Sequence, residues 1–429
     1  MTPFPERWPM TPFPERWLGG ASPGGLLLPP ASPSRTHLYA PRGVYMDDDV
    51  IIVADSGNHR VLIWYGWPED DHAPADVVLG HDDFGAEGPN FLHLPTAAIV
   101  VDGKLIVADA WHHRLLLWNR LPRRSGQGPD KVIGQPDLGS TAPNRGGNVT
   151  PTGLYWPYGL AWLHGRLYVA DTGNRRVLAW EGIPEDGRPP DLVLGQPDGW
   201  SSGENRGRGV GPDTFRWPHA IAGDDQTLYI ADAGNHRVLG YSPVPDEDRP
   251  ADLVLGQPSF ETAFELPHVP QGPRALRFPY GIAVGGHALI VADTANNRVL
   301  LFQGPPRTGT HAAADHVLGQ DDFDGSGENR WHAVARDSLC WPYGVAFHRG
   351  RLAIADSGNN RVIIWRLGEA LLGQSRPGAG RLDCSQSGAG ELDRSPTGAG
   401  GLDHGRPGSG ERRRHTYVSG HARASGGTG

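Results

Sequence analysis

Short apolar runs separated by turn-forming residues fill most of the chain, and no stretch keeps a helical period. Leu167-Tyr-Val-Ala170 and Val177-Leu-Ala-Trp180 are β-branched and aromatic runs of the kind that form strands. Between them Asp171-Thr-Gly-Asn174 supplies turn residues, with Gly173 and Asn174 suited to positive φ. The pattern predicts a β-hairpin whose Arg176, just past the turn, reaches back to Asp171. It recurs at Asp55, Asp109, Asp232, Asp293 and Asp356. In every copy an Arg follows five residues later (Arg60, Arg114, Arg237, Arg298, Arg361), and a Trp, Tyr or Phe nine residues later. A repeat with a spacing of 54 to 63 residues is the mark of a repeat architecture.

The unit extends on both sides of the hairpin. Pro41, Pro95, Pro157, Pro218, Pro279 and Pro342 each lie fourteen residues before an Asp, and an apolar residue stands three before each Pro. Runs such as Gly159-Leu-Ala-Trp162 then predict a first strand whose opening residue can lack an N–H. A fourth strand is expected at Val77, Lys131, Leu192, Leu253, His316 and Leu371. Four short strands in each of six units predict an all-β, six-bladed β-propeller with four antiparallel strands per blade. The link between the third and fourth strands is short in the sixth unit. Even so, 371–374 is expected to form the last outer strand.

The hairpin Asp-x-Gly-Asn-x-Arg-Val, preceded by Pro-Tyr-Gly-Leu-Ala, resembles the NHL repeat. The resemblance covers residues 38–374, with a Gly-Gln-Pro-Asp loop that lengthens the unit. Copy two departs at Trp111 and His112, and copy five has Ala295 for the Gly. The resemblance implies a propeller that displays loops for recognition.

Composition adds boundaries. Residues 1–37 read as a flexible segment, with Thr-Pro-Phe-Pro-Glu-Arg-Trp present twice, at Thr2 and Thr11. No stretch resembles a signal peptide or a membrane span. Residues 375–429 are rich in Gly, Ser and Arg and are expected to be disordered. A net charge of −9 argues against nucleic acid, and Cys340 and Cys384 are too few for a disulfide framework. The expected location is the cytoplasm and the expected state a monomer.

Several residue sets are candidates for function. Six equally spaced Asp–Arg pairs read as structural braces, since catalysis needs differentiated residues. His59, His113 and His236 share one position, read as exposed in the turn, and do not converge as a zinc site requires. Peptide-amidating lyases, which resemble NHL propellers, carry zinc, but no matching His set stands here. The residues after the framework prolines are Arg42, Thr96, Tyr158, His219, Tyr280 and Tyr343, expected to ring one mouth of the channel. Strand direction places that mouth, the Asp-x-Gly-Asn turns and the long loops on one face. Three of those loops carry Asn-Arg, contributing Arg145, Arg206 and Arg330. The Pro- and acid-rich links on the opposite face, including Glu185 and Asp186, read as solvated connectors.

These readings point to a non-catalytic platform that binds a protein or peptide partner, as part of a larger complex, with no cofactor or metal. The partner-binding candidates are Arg42, Tyr158, His219, Tyr280, Tyr343, Arg145, Arg206 and Arg330. The alternative is a metal-dependent enzyme at the central channel, and a third reading is single-stranded RNA binding.

Overall fold

The computed structural model describes residues 12–20, 32–265, 268, 270–285 and 287–368. Two units separate along the chain, Met1–Ser375 and Arg376–Gly429. The second, with the expected disordered tail, lies outside the described residues. Among the described residues no helix is long and apolar enough to cross a membrane.

Six antiparallel sheets form the blades of a propeller. Blade three shows the order, from centre to rim: Pro157–Leu163, Arg166–Asp171, Arg176–Glu181 and Leu192–Leu194. Between their charged ends the middle strands are continuously apolar, as in Leu167–Ala170 and Val177–Trp180, because both faces of each blade are covered. Successive side chains point to opposite faces. Leu167 and Val169 therefore join a core with blade two, while Tyr168 and Ala170 join one with blade four. Six such inter-blade cores complete the ring, the last between blade six and blade one. Gly159 belongs to this packing. A Cβ there would sit 2.2 Å from the His219 carbonyl oxygen of the next blade.

The segment 371–374, expected as the outer strand of blade six, lies outside the described residues. Phe13–Gly19 fills that place, antiparallel to Arg361–Arg366. Trp17 enters the core between blades five and six, and Leu18 the core between blades six and one. The segment read as flexible thus supplies the strand that closes the ring. The gain is burial of two large apolar side chains and the pairing of an open sheet edge.

The Asp–Arg braces form in all six blades, with Arg Nε donating to the Asp carboxylate at 2.7–3.0 Å and both side chains essentially inaccessible. Each brace is part of a wider network. Asp171 Oδ1 also accepts the Tyr155 N–H at 2.7 Å, and Oδ2 accepts Asn174 Nδ2 at 2.8 Å. The Arg176 terminal nitrogens donate to the carbonyls of Thr150, Gly153 and Gly199, tying together the loops that enter and leave the blade. Burial pushes the Asp171 carboxyl pKa up, and the guanidinium opposes that shift. Removing one partner of such a buried pair costs about 3–5 kcal/mol.

The turn itself differs from expectation. Gly173 and Asn174 lie in a 3-10 turn, and the positive φ of 58° falls on Arg175. Gly173 is required for space, since a Cβ would stand 2.5 Å from the Tyr155 ring. Trp111 and Ala295 tolerate the same position by a small retreat. Their N–H bonds to the preceding loop are 3.2 and 3.1 Å long, against 2.8 Å for Gly173.

The acid-rich links are not free connectors. Each described link lies against the outer strand of the preceding blade, where unpaired backbone groups would otherwise face solvent. Gly126 N–H donates to the Val78 carbonyl at 3.0 Å, and His72 N–H to that of Trp17 at 3.0 Å. Gly309–Thr310 even forms a short parallel strand on Leu253–Leu255. In blade three, Glu185 pairs with Lys131, and Asp186 pairs with Arg145 and accepts the Gly134 N–H. The aromatic residue that ends the hairpin anchors the link, as where Trp180 Nε1 donates to the Arg188 carbonyl at 3.1 Å.

Candidate functional site

The inner strands begin at the face that carries the hairpin turns, since Pro157 pairs with Asp171. The residue after each framework proline therefore stands at the channel mouth, and five of the six meet there. Ring centroids lie 4.3 Å apart for Tyr158 and His219, 4.4 Å for His219 and Tyr280, and 4.8 Å for Tyr280 and Tyr343. Arg42 closes the circle, its guanidinium 5.0 Å from the Tyr343 centroid and donating to the Tyr158 hydroxyl at 2.5 Å. Thr96 stands aside, its hydroxyl given to the Tyr158 carbonyl at 2.8 Å.

This ring is a septum. Below it, a cavity of about 270 Å³ runs between the inner strands, among residues such as Ile99, Leu163, Val284 and Phe347. Above it, a bowl of about 280 Å³ is walled by Trp111, Trp156 and Trp217, with Arg42, Tyr158, His219, Tyr280 and Tyr343 forming the floor.

Electrostatics leave one charge in the floor. Burial pushes the Tyr158 hydroxyl up to about 12. Burial, helped by Arg42, lowers His219 to about 4 against the bond it makes with the Trp217 carbonyl. That bond, 2.9 Å from Nδ1 to a carbonyl oxygen, places the imidazole proton on Nδ1. Both groups are neutral at pH 7. Burial works against the Arg42 charge, yet the neighbouring tyrosines hold its pKa above the ordinary arginine value. Among the described residues no carboxylate pairs with Arg42.

The tryptophan walls were not singled out in the sequence. The signal was present in the residue before each framework proline, which is aromatic in Trp156, Trp217, Phe278 and Trp341. Three of these, Trp156, Phe278 and Trp341, have φ near +50°, a conformation bulky residues adopt only when their surroundings impose it. The preceding blade imposes it. His113 Nδ1 accepts the Trp156 N–H at 3.2 Å, His236 Nδ1 the Phe278 N–H at 3.3 Å, and Asn297 Oδ1 the Trp341 N–H at 2.8 Å. His59 does the same for Leu94 at 3.2 Å. These histidines are therefore inter-blade acceptors, with His113 and His236 buried, and not exposed turn residues. His59, His93 and His112 do cluster, with ring centroids 4.9 and 5.3 Å apart. Among the described residues, however, no three His, Cys, Asp or Glu side chains are placed to share a metal ion.

The loop arginines do not reach the bowl. Arg145 pairs with Asp186, Arg206 with Asp213 and Asp248, and Arg330 with Asp321 and Asp337. The adjoining asparagines make amide pairs with the next blade's turn, as Asn174 Nδ2 does with Asn144 Oδ1 at 2.8 Å. Asn-Arg thus fastens loops between blades, and its guanidiniums are already matched by carboxylates. These loops and the other segments that lead into inner strands carry exposed apolar side chains. Tyr39, Leu138, Trp200, Phe264, Trp331 and Trp341 all precede an inner strand on the face with the bowl.

The family model described as NHL repeat matches residues 38–64. No curated protein matches the sequence. Among solved structures, virginiamycin B lyase from Staphylococcus aureus aligns over 78% of this chain and 97% of its own, at 13% identity and a TM-score of 0.40. A nidogen/laminin complex aligns over 74% of this chain and 85% of that one, at 15% identity and a TM-score of 0.39. Chaetomium thermophilum Raptor aligns over 85% of this chain and 29% of its own, at 13% identity and a TM-score of 0.44.

Proposed function

We propose that this six-bladed β-propeller, which matches the NHL repeat over residues 38–64, is a non-catalytic platform for a protein or peptide partner. The partner docks on the face that holds the bowl and the long loops. One observation carries the reading: six of the large apolar side chains left exposed lie in loops of that face, with Trp331 at 80% and Trp200 at 67% exposure. Exposed aromatic residues gathered on one face of a rigid scaffold mark an interaction surface, and Trp, Tyr and Arg dominate binding hot spots. The septum residues Arg42, Tyr158, His219, Tyr280 and Tyr343 form the deepest part of the surface. Cys340, a buried free thiol whose burial pushes it up to about 12, suits a reducing compartment such as the cytoplasm.

The test is capture of partners from the native organism by the intact protein, compared with a Trp200→Ala, Trp331→Ala variant. Both side chains are largely solvated, so the variant keeps its melting temperature. Partners seen with the wild type are expected to fall about tenfold or more in recovery. Equal recovery by both proteins would overturn the proposed face.

A further inference from the structure

Among the described residues Arg42 is a cation without a counter-charge, at the bottom of an aromatic bowl. Its side chain is half-buried among Tyr158, Tyr280 and Tyr343, and its one hydrogen bond goes from Nη1 to the Tyr158 hydroxyl. Nε and Nη2 make no bond within the described residues, although a guanidinium offers five N–H donors. Every other ring member is neutral at pH 7. By contrast, the six hairpin arginines and the three loop arginines all have carboxylate partners. A site built this way is electrostatically incomplete, and a carboxylate is the group that fits the free edge of a guanidinium.

The shape narrows the source of that carboxylate. Neighbouring members of the septum lie 4.3–5.0 Å apart, and Tyr158 and Tyr280 only 6.5 Å apart across it, too close for a main chain to thread between them into the channel. At about 280 Å³ the bowl is smaller than the ~300–1,000 Å³ of sites for drug-sized ligands, so it holds one residue and not a strand. An internal Asp or Glu would have to bring main chain in on both sides, past Trp111, Trp156 and Trp217. A chain end brings it in on one side only, and sets an apolar side chain beside the carboxylate.

We infer that the bowl takes the carboxyl-terminal residue of a peptide chain, its carboxylate on Arg42 and its apolar or aromatic side chain against the tryptophan walls. The inference rests on the partner-binding reading and names the part of the partner that is read.

The test uses the full chain and short random-sequence peptides immobilised through their N-termini, leaving free carboxyl ends. Retained peptides are expected to be enriched in aromatic or large apolar last residues, whereas no preference at the last position would overturn the inference. Converting the terminal carboxylate of a retained peptide to an amide should weaken binding about tenfold or more. Arg42→Gln should erase the difference between acid and amide, and Arg42→Lys should keep part of it. Equal binding of acid and amide by the wild type would sink the carboxylate role even if Arg42→Gln fails to fold. Free N-acetyltryptophan binding as tightly as the peptides would overturn the peptide source. A partner still captured through Trp200 and Trp331, with no such acid–amide difference, would remove this inference alone and leave the platform standing.

Discussion

At the scale of single residues, the least expected role belongs to His113, whose imidazole accepts a backbone N–H from the next blade. An acceptor imidazole must be neutral. Burial, reinforced by His112, lowers His113 to about 4, and burial lowers His59 and His236 as well. In the unfolded chain these groups titrate near 6.5. Above that value both states are neutral and the interaction is fully present. As pH falls from 6.5 toward 4 the unfolded chain binds protons that the fold refuses, so stability is lost through that window. Asn297 and Asn360 perform the same task with an amide in blades five and six. His113→Asn should therefore hold the pH 7 melting temperature close to the wild type and flatten its decline between pH 6.5 and 4.5. A steeper decline in the variant would remove His113 from the acid response. The sequence showed this column as His, His, Arg, His, Asn and Asn, but not its purpose. The left-handed φ of 56° at His113 turns the side chain across to the next blade, and that is a property of two blades, not of one hairpin. The Asp–Arg column was legible because both partners sit in one hairpin. The tryptophan walls were not, because Trp156 and Trp111 come together only when blades two and three pack.

Elements tell the same story at larger size. Hairpins, framework prolines and inner strands follow from local alternation and turn chemistry, so the six-bladed order could be read directly. The links between third and fourth strands could not. Their Pro, Glu and Asp content signals solvent, whereas their position answers a need created by the neighbouring blade's bare edge. Asp186 is the clearest case, accepting the Gly134 N–H at 3.2 Å while pairing with Arg145. Both side chains are about a third exposed, which keeps the interaction in the range of ordinary surface pairs. A thermal double-mutant cycle of Asp186→Ala and Arg145→Ala should show coupling of roughly 0.5–1 kcal/mol, with partner capture unchanged. Zero coupling would return the link to the status of a passive connector. Loss of capture would place the binding surface on the wrong side of the molecule.

At the scale of the whole molecule, no blade has a core of its own. Each apolar layer is shared by two neighbours, and the layer between blades five and six depends on Trp17 from the far end of the chain. Arg336 stacks over Trp17 at 4.5 Å and pairs with Asp71 of the first blade's link at 2.7 Å, so three distant segments meet at the closure. This closure was hidden in the sequence for a physical reason. An outer strand needs only a short apolar run, and 371–374 met that local criterion as well as Phe13–Gly19 does. What distinguishes them is a ring that has to be shut, which no local pattern encodes. The consequence is cooperativity. With all six layers shared, residues 12–368 should unfold in one transition, and calorimetric and van't Hoff enthalpies should agree. Removing residues 1–20 uncovers the edge of Arg361–Arg366 and the core around Ile354 and Ile363. The truncated protein should melt lower and lose that agreement, as blade six frays ahead of the rest. Hydrogen exchange would locate the early opening at Arg361–Arg366 and Arg351–Asp356, while Pro157–Leu163 and its hairpin stay protected. Unchanged cooperativity after truncation would mean that the N-terminal strand merely covers a ring already closed by its inner strands.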